Sequence, residues 1–518
     1  MPTFKDKIKQ YYGIDEEAFL EKIKAPSFSS MPDISSFECV KKAISELKKC
    51  KKENKKIIVY GDYDFDGISA TTIIYSLLKR DSYNVSFYTP SRYLDGYGLN
   101  EANVIRIAKA GFSLIFTVDN GVTSFEAIKK ANEFGVKIII LDHHEYQEAP
   151  NPILSLIHPN TVGLANPSIS AGFLSYLFLR AYLHADDEYL FCLGATSLLS
   201  DAMPLLSYNR DAANLALCLL NEKKFSSFCL LTDKNHFYSS TLQMDIIPKI
   251  NAIGRVETGT ETNRVVRYFA SNDEKEKNKL AAYFSEVNQK RKALTKNAEG
   301  KIIIEDNKAS IFLITDLPEG LNGLLANRLL NEYEKPVAVF SASKKDSSIF
   351  VGSIRSKEGF NVLKALNGSK VKLVAFGGHA FAGGVSINKE DLSVFKTEFE
   401  YAALKHKFDK IERKAIPLEP DECSIENLTL LQALGPFGNE NPAPLFAITK
   451  EKSEITFTIN GFLSMKINND ARLFSFTLKD KSIPTSDQIT FLCSMEPNEW
   501  KGKVSLQLLA QEIKTSNE

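Results

Sequence analysis

VYGDYDFDGISA, residues 59–70, decides the reading of this chain. Three aspartates, Asp62, Asp64 and Asp66, stand at alternate positions directly after the apolar run IIVY. In an extended chain, alternate side chains share one side. Carboxylates placed that way repel, and each raises the pKa of the others. The spacing first suggests a calcium loop. An EF-hand needs a bidentate Glu at its twelfth position. Counted from Asp62, that position is Ile73, and the motif follows a strand instead of a helix. The calcium reading fails on both points.

Working outward, apolar runs recur at KIIVY (56–60), NVSFYTP (84–90), LIFTV (114–118), KIIIL (137–141) and ILSLIHP (153–159). Helical patterns such as SATTIIYSLLKR (69–80) and SFEAIKKANEFG (124–135) lie between them. Strands alternating with helices predict a mostly parallel sheet with crossover helices. LIFTV ends in Asp119-Asn120-Gly121, and KIIIL ends in Asp142-His143-His144. Open α/β sheets bind ligands beyond the carboxyl ends of their strands. Asp62, Asp64, Asp66, Asp119, Asp142 and His143 are therefore expected to converge. Asp201, in LLSDAMPL, stands at a predicted helix end. A turn or a helix cap would explain Asp119 or Asp201 alone, but not the whole set in this order.

Such a cluster requires cations. Carboxylates alone suit Mg²⁺, and an imidazole shifts the preference toward Mn²⁺. Four or five carboxylates and a histidine suffice for two ions sharing an aspartate. Two ions are suited to phosphoryl chemistry with water as nucleophile.

The chain has 518 residues, enough for three or four domains. Hydrophobic residues make up 44% and charged residues 25%, the composition of an ordinary soluble protein. The opening MPTFKDKIKQYYG lacks an apolar h-region, and no run is long enough to span a bilayer. Seven cysteines never form CxxC, which predicts a reducing cytoplasm and argues against structural zinc. Formal net charge is zero, so no basic domain announces nucleic acid. Lysines crowd residues 41–56 and 289–296, each read as a solvated helix face.

Residues 168–232 read as helical. Residues 273–300 read as one helix with Leu280, Phe284, Val287, Arg291 (its stem), Leu294 and Ala298 on a stripe. A second α/β unit follows, with strands predicted in 310–315, 336–343, 350–356 and 372–387. From about 445, EITFTING, RLFSFTLKD, QITFLCSM and KVSLQLLA predict a small β-barrel or sandwich.

DYDFDG, VDNG, LDHH and SDAMPL, in that order, resemble the DHH phosphoesterase superfamily, and more closely the bacterial RecJ single-strand nucleases. INAIGR (250–255), GSIRS (352–356), GGHAFAGG (377–384) and LGPFGNENPAPLF (434–446) extend the resemblance. It implies an α/β architecture: an N-terminal helical segment (1–50), a parallel-sheet DHH domain (51–270), a connecting helix (271–300), a DHH-associated α/β domain (301–415) and an OB-like barrel (416–518). It implies a cytoplasmic 5′→3′ exonuclease that releases mononucleotides from single-stranded DNA in recombination and repair. Two Mn²⁺ or Mg²⁺ ions would serve it, with a helicase and a single-strand-binding protein as possible partners and no membrane.

The metal-ligand role carries over to Asp62, Asp64, Asp66, Asp119, His143 and Asp201. Asp142 would orient the ligand histidine, and His144 would face substrate. Asn251, Arg255, Ser353, Arg355, Gly377, Gly378 and His379 would contact phosphate, with Gly254 admitting the strand. Phe457, Phe462, Phe474, Phe476 and Phe491 are available for stacking. Three alternatives stand beside this. DHH phosphodiesterases of short oligonucleotides or cyclic dinucleotides often carry a His four residues before the first Asp of a DxD pair. Here Tyr60 stands there, counted from Asp64. Haloacid-dehalogenase chemistry uses DxD but does not predict DHH. A non-catalytic replication scaffold does not require the intact acidic set.

Overall fold

A computed structural model describes residues 2–300, 302, 308–405, 413–479, 483–484, 486–500 and 503–514. The first sheet contains β1 (Lys56–Tyr60), β2 (Val85–Tyr88), β3 (Phe112–Val118), β4 (Lys137–Leu141) and β5 (Ser155–Ile157). Its order is β2-β1-β3-β4-β5, and every pairing is parallel. The central strands are buried on both faces, which explains their unbroken β-branched runs. Strand order reverses between β1 and β3, the place where open sheets of this order bind ligands.

Helices α1 (Phe4–Tyr12), α2 (Glu16–Ile23), α3 (Glu38–Lys52), α4 (Phe65–Arg80), α5 (Glu101–Lys109), α6 (Phe125–Glu133), α7 (Ala171–Leu183), α8 (Glu188–Ser200) and α9 (Ser207–Lys223) come first along the chain. Short α10 (Ser226–Cys229) and α11 (Ser239–Thr241) then lead to α12 (Ile247–Val256), α13 (Thr262–Ala270) and α14 (Glu274–Glu299). Helices α5 and α6 cover one face of the sheet. Helix α4 is buried along nearly its whole length between the other face and α7 and α8. Helix α14 exists as expected, but its buried stripe is Lys277, Ala281, Phe284, Val287, Asn288 and Thr295, with Leu280, Leu294 and Ala298 only partly covered.

The second sheet contains β6 (Ile311–Thr315), β7 (Val337–Ala342), β8 (Ile349–Arg355), β9 (Ala375–Gly378) and β10 (Ala382–Asn388), in the order β6-β7-β8-β10-β9. Helix α15 (Asn322–Tyr333) packs on one face, and α16 (Val362–Asn367) and α17 (Leu392–Leu404) on the other. Leu325, Ala326 and Leu329 of α15 join the first domain's core, so the two α/β units meet through apolar contact.

The last sheet contains β11 (Ala415–Pro417), β12 (Leu445–Glu451), β13 (Phe462–Lys466), β14 (Ala471–Lys479), β15 (Gln488–Trp500) and β16 (Lys503–Lys514), with α18 (Ile425–Ala433) before β12. Its order is β11-β12-β15-β16-β14-β13. EITFTING is not a strand. Phe457 makes a single bridge to Leu463, and the ladder runs instead through FLSMK, which buries Leu463 and Met465. Residues 1–50 are divided between two cores. Phe4, Ile8 and Phe19 enter the core of this last domain, where Phe4 stacks on Phe446 at 5.8 Å. Val40, Ala43 and Leu47 of α3 pack in the first domain. All seven cysteines are free thiols.

Candidate metal centre

The three aspartates of DYDFDG converge through a strand-to-helix turn and not along an extended chain. β1 ends at Tyr60. Asp64 caps α4, accepting from the N–H groups of Asp66 and Gly67 at 3.0 and 3.2 Å. Asp66 lies in the first helical turn. Its carboxylate accepts from Ala171 and Gly172 N–H at 2.8 and 2.7 Å, at the start of α7. Gly67 must lack a Cβ, because one there would sit 2.6–2.8 Å from Asp62.

The second and third strands supply the rest. Asp119 takes a left-handed φ of 61° at the end of β3, uncommon for a residue with a side chain. Asn120 holds that strand end to β1, donating to Gly61 O and Val118 O at 3.0 and 2.9 Å. His143 Nε2 lies 3.3 Å from Asp119, 3.6 Å from Asp201 and 3.7 Å from Asp66. Asp201 is the C-cap of α8.

Two groups of ligand atoms are each tight enough for a cation: Asp62, Asp64 and Asp119, and Asp66, His143 and Asp201. Asp119 also groups with His143 and His144, which places it between the two. Burial, then Asp64, raises Asp62 well above the usual carboxylate range. Burial, then Asp66, Asp64, Asp62 and Asp201, does the same to Asp119. Burial and Asp64 push Asp66 up to about 7, and burial, Asp66 and Asp64 push Asp201 up to about 8. Burial and the neighbouring His144 bring His143 down to about 4, the neutral form a metal needs.

No lysine or arginine among the described residues forms an ion pair with Asp62, Asp64, Asp66, Asp119 or Asp201. Asp62 Oδ1 is buried without a hydrogen-bond partner. Repelling, desolvated oxygens with an orphaned acceptor fit divalent cations.

Asp142 differs from expectation. Its Oδ1 meets the ring of His144 at 2.8 Å and not the ring of His143, to which it offers only a backbone contact at 2.8 Å. Burial opposes charge on both partners, yet this contact holds Asp142 low and drives His144 up to about 9. The His144 side chain is half-exposed, and without a cation nearby this contact favours its protonated form. Tyr97, unnoticed in the sequence, reaches it through its hydroxyl at 3.1–3.2 Å. The flanking Gly96 and Gly98, both at positive φ, are the signal that a loop presents this ring.

The INAIGR residues serve the acidic loop. Asn251 Oδ1 accepts from Phe65 N–H at 2.8 Å, and a Cβ at Gly254 would lie 2.8 Å from Tyr63 O. Gly254 thus admits the acidic loop, where a DNA strand was expected. Arg255 is pushed down to about 10 by burial and by Arg92, with Arg291 and Arg355 adding to the effect. Arg92, Arg291 and Arg355, from three other segments, thus act electrostatically on Arg255, whose Nη1 donates to Gly320 O at 3.2 Å. Arg92 and Arg291 were not singled out as site residues. Arg291 lies in a stretch read as solvated, but its stem was placed on the helix stripe, and it is half-buried. Arg92 lies 4.1 Å from the Tyr63 ring centroid, and its Nε is buried without a partner.

Arg355 and Ser353 lie against the first turn of α15, where a Cβ at Gly323 would be 2.9 Å from Arg355 Nη2 and 3.5 Å from Ser353 Oγ. Gly377, Gly378 and His379 are exposed at the β9 edge, across β10 from the Arg355 end of β8: Ala382 pairs with Arg355, and Gly383 with Gly378. The His379 N–H is already given to Ala382 O at 2.8 Å and is not free for phosphate.

Residues 56–195 match the DHH family, N-terminal domain; residues 309–404 match the DHHA1 domain; residues 415–512 match the RecJ OB domain. The chain carries DHH, DHHA1 and RecJ OB domains in that order. It is 27% identical over 503 residues to the single-stranded-DNA-specific exonuclease RecJ of Bacillus subtilis, covering 92% of this chain and 63% of that relative. Against the RecJ of Haemophilus influenzae identity is 26%, covering 95% of this chain and 93% of the relative. The structure of Thermus thermophilus RecJ in complex with Mn²⁺ superposes with a TM-score of 0.83 at 22% identity, covering 99% of this chain and 76% of the other. No helix among the described residues is long and apolar enough to cross a membrane.

Proposed function

We propose that this protein is a single-stranded-DNA-specific exonuclease that hydrolyses phosphodiester bonds with two divalent ions, Mn²⁺ or Mg²⁺. One observation carries the reading: two three-residue ligand groups share the switch point of a DHH sheet in a chain that also carries DHHA1 and RecJ OB domains. Asp62, Asp64 and Asp119 would hold one ion, and Asp66, His143 and Asp201 the other. When bound, the ions supply Lewis acidity at the phosphoryl group and acidify water.

The protein's own groups do the rest. Asp142 and Tyr97 hold the His144 ring between them, and it would face the substrate phosphate from the edge of the site. Arg92, Arg255, Arg291 and Arg355 form the positive wall that grips the strand backbone. Ser353 extends that wall. On the barrel, Phe476 is 71% exposed and lies 4.8 Å from Phe474, with Arg472 two positions before, a surface suited to stacked bases. Phe491 is core, and Phe457 packs against it.

The 5′→3′ polarity, mononucleotide products, a role in recombination and repair, cytoplasmic residence and partnership with a helicase and a single-strand-binding protein are part of the proposal, carried by resemblance. The barrel favours a polymer over the short oligonucleotides or cyclic dinucleotides of related enzymes. The complete acidic set speaks against a non-catalytic scaffold. Strands labelled separately at the 5′ and 3′ ends, with Mn²⁺ and an EDTA control, test the reading. Early release of the 5′ label as a mononucleotide, abolished by EDTA, is expected. Hydrolysis of dinucleotides with long strands left intact would overturn it.

A further inference from the structure

LGPFGNENPAPLF has no part in the chemistry described above, yet it touches the metal centre's most exposed corner. Asp201 ends α8, and the chain beyond it turns sharply, with Ala202 at a left-handed φ of 49°. On the near side this turn is tied to its own helix. Asp201 N–H donates to Ser197 O at 3.0 Å, and Met203 N–H to Leu198 O at 2.9 Å. On the far side the partner is a segment more than two hundred residues away. Asn439 Nδ2 donates to Ala202 O at 3.0 Å, and Leu205 N–H donates to Asn439 O at 2.9 Å. One residue thereby closes a two-point clamp around Ala202–Leu205. Gly438 completes it, because a Cβ there would sit 2.9 Å from Leu205 Cδ1.

The clamp is itself held in place. Arg210 of α9 donates to Ala433 O at 3.1 Å and to Leu434 O at 3.4 Å, fixing the start of the same linker. Asn441 donates to Leu434 O and Pro436 O at 3.2 and 2.9 Å and shapes the loop from inside.

We propose that Asn439 is a positioning residue for the metal centre: from the OB-side linker it sets the turn after α8 that aims Asp201 at its cation. Asp201 needs such support more than its neighbours do. Asp62, Asp66 and Asp119 are nearly fully buried among strand and helix ends, whereas the Asp201 side chain is 34% exposed on a turn. Residues that orient a ligand from behind are typically worth about 10–100-fold in metal affinity.

The proposal rests on the two-ion reading, and the test separates the two. Mn²⁺ is titrated into the metal-free full-length protein without DNA, read by calorimetry and by loss of the free-ion paramagnetic resonance signal. The wild type is expected to bind two ions. Asn439→Ala is expected to weaken one of the two about tenfold and leave the other unchanged. Cleavage at saturating Mn²⁺ then approaches the wild-type rate. Gly438→Ala, which keeps the hydrogen bonds but displaces Leu205, is expected to weaken the same ion, and it serves if Asn439→Ala does not fold. Coincident isotherms for wild type and folded variants, with only a lowered unfolding temperature, would make the loop mere interdomain glue and overturn the proposal. A wild type that binds no Mn²⁺ would instead overturn the two-ion reading.

Discussion

The acidic pocket and the arginine wall are opposite poles built in opposite ways. The acids come from one sheet edge and the helix ends beside it, each close in sequence to an apolar run that fixes it. Two of them are held rigidly by backbone N–H groups: Asp64 by its own helix, Asp66 by the start of α7. The arginines come from four remote segments, and Arg355 belongs to a different sheet. Both poles gather like charge, and on the proposed function each is completed by what it would bind: cations on one side, phosphates on the other.

Breaking the acidic pole alone gives the largest expected effect. Asp119 stands between the two ligand groups, so Asp119→Ala should cost about 10³-fold in cleavage. That follows from a Lewis acid being worth several kcal/mol and each 1.36 kcal/mol a factor of ten. Single-strand affinity measured in EDTA should be nearly unchanged. Wild-type turnover in a folded variant would remove Asp119 from the centre.

Breaking the basic pole alone should invert that pattern. A charge-assisted hydrogen bond is worth about 1.5–3 kcal/mol, so Arg355→Ala should weaken strand binding about tenfold or more. The slope of log affinity against log salt should fall by about one. The Mn²⁺ isotherm should not move. Fluorescence anisotropy at several salt concentrations reads both quantities. An unchanged slope would mean that Arg355 touches no phosphate.

This difference in construction also decides what the sequence could reveal. DYDFDG, VDNG and DHH each follow an apolar run directly, so the strand-end rule located Asp62, Asp64, Asp66, Asp119, Asp142 and His143. Asp201 was noted at a predicted helix end, but its ligand role came only through resemblance, because a helix-end Asp has no pattern of its own. Arg92 carried no local signal, and Arg291 was legible only as a stem on the helix stripe, not as a charge acting on Arg255. Asn251 and Gly254 were assigned to DNA, yet they face the acidic loop. That contact joins residues 186 positions apart. The union of α1 and α2 with the last domain spans still more chain and was illegible. In the barrel, alternation was plain, but EITFTING and FLSMK alternate equally well, and only burial chose between them.

The poles should differ also in how pH reaches stability, the smallest of the expected effects. With metal removed, Asp66 titrates near 7, Asp201 near 8 and His144 near 9 in the folded protein. Unfolded, these groups lose their protons near 3.8, 3.8 and 6.5. Between pH 6.5 and 8 the folded state therefore holds more protons than the unfolded state, and stability must fall as pH rises. His143, neutral in the folded state down to about 4, opposes this trend together with the lowered His158 and His236, most strongly at the acid end of the window and fading toward pH 8 as their unfolded imidazoles lose their protons. Arg255, near 10, stays charged throughout and adds no slope. The unfolding temperature of EDTA-treated protein should drop by a few degrees from pH 6.5 to 8, and Mn²⁺ should raise it more at pH 8, where the ligands are ionised. Arg355→Ala should keep the slope, and Asp201→Asn should flatten it. An EDTA-treated wild type with no slope across that window would mean that the acidic pole is not frustrated without its cations, and the contrast between the two poles would fail.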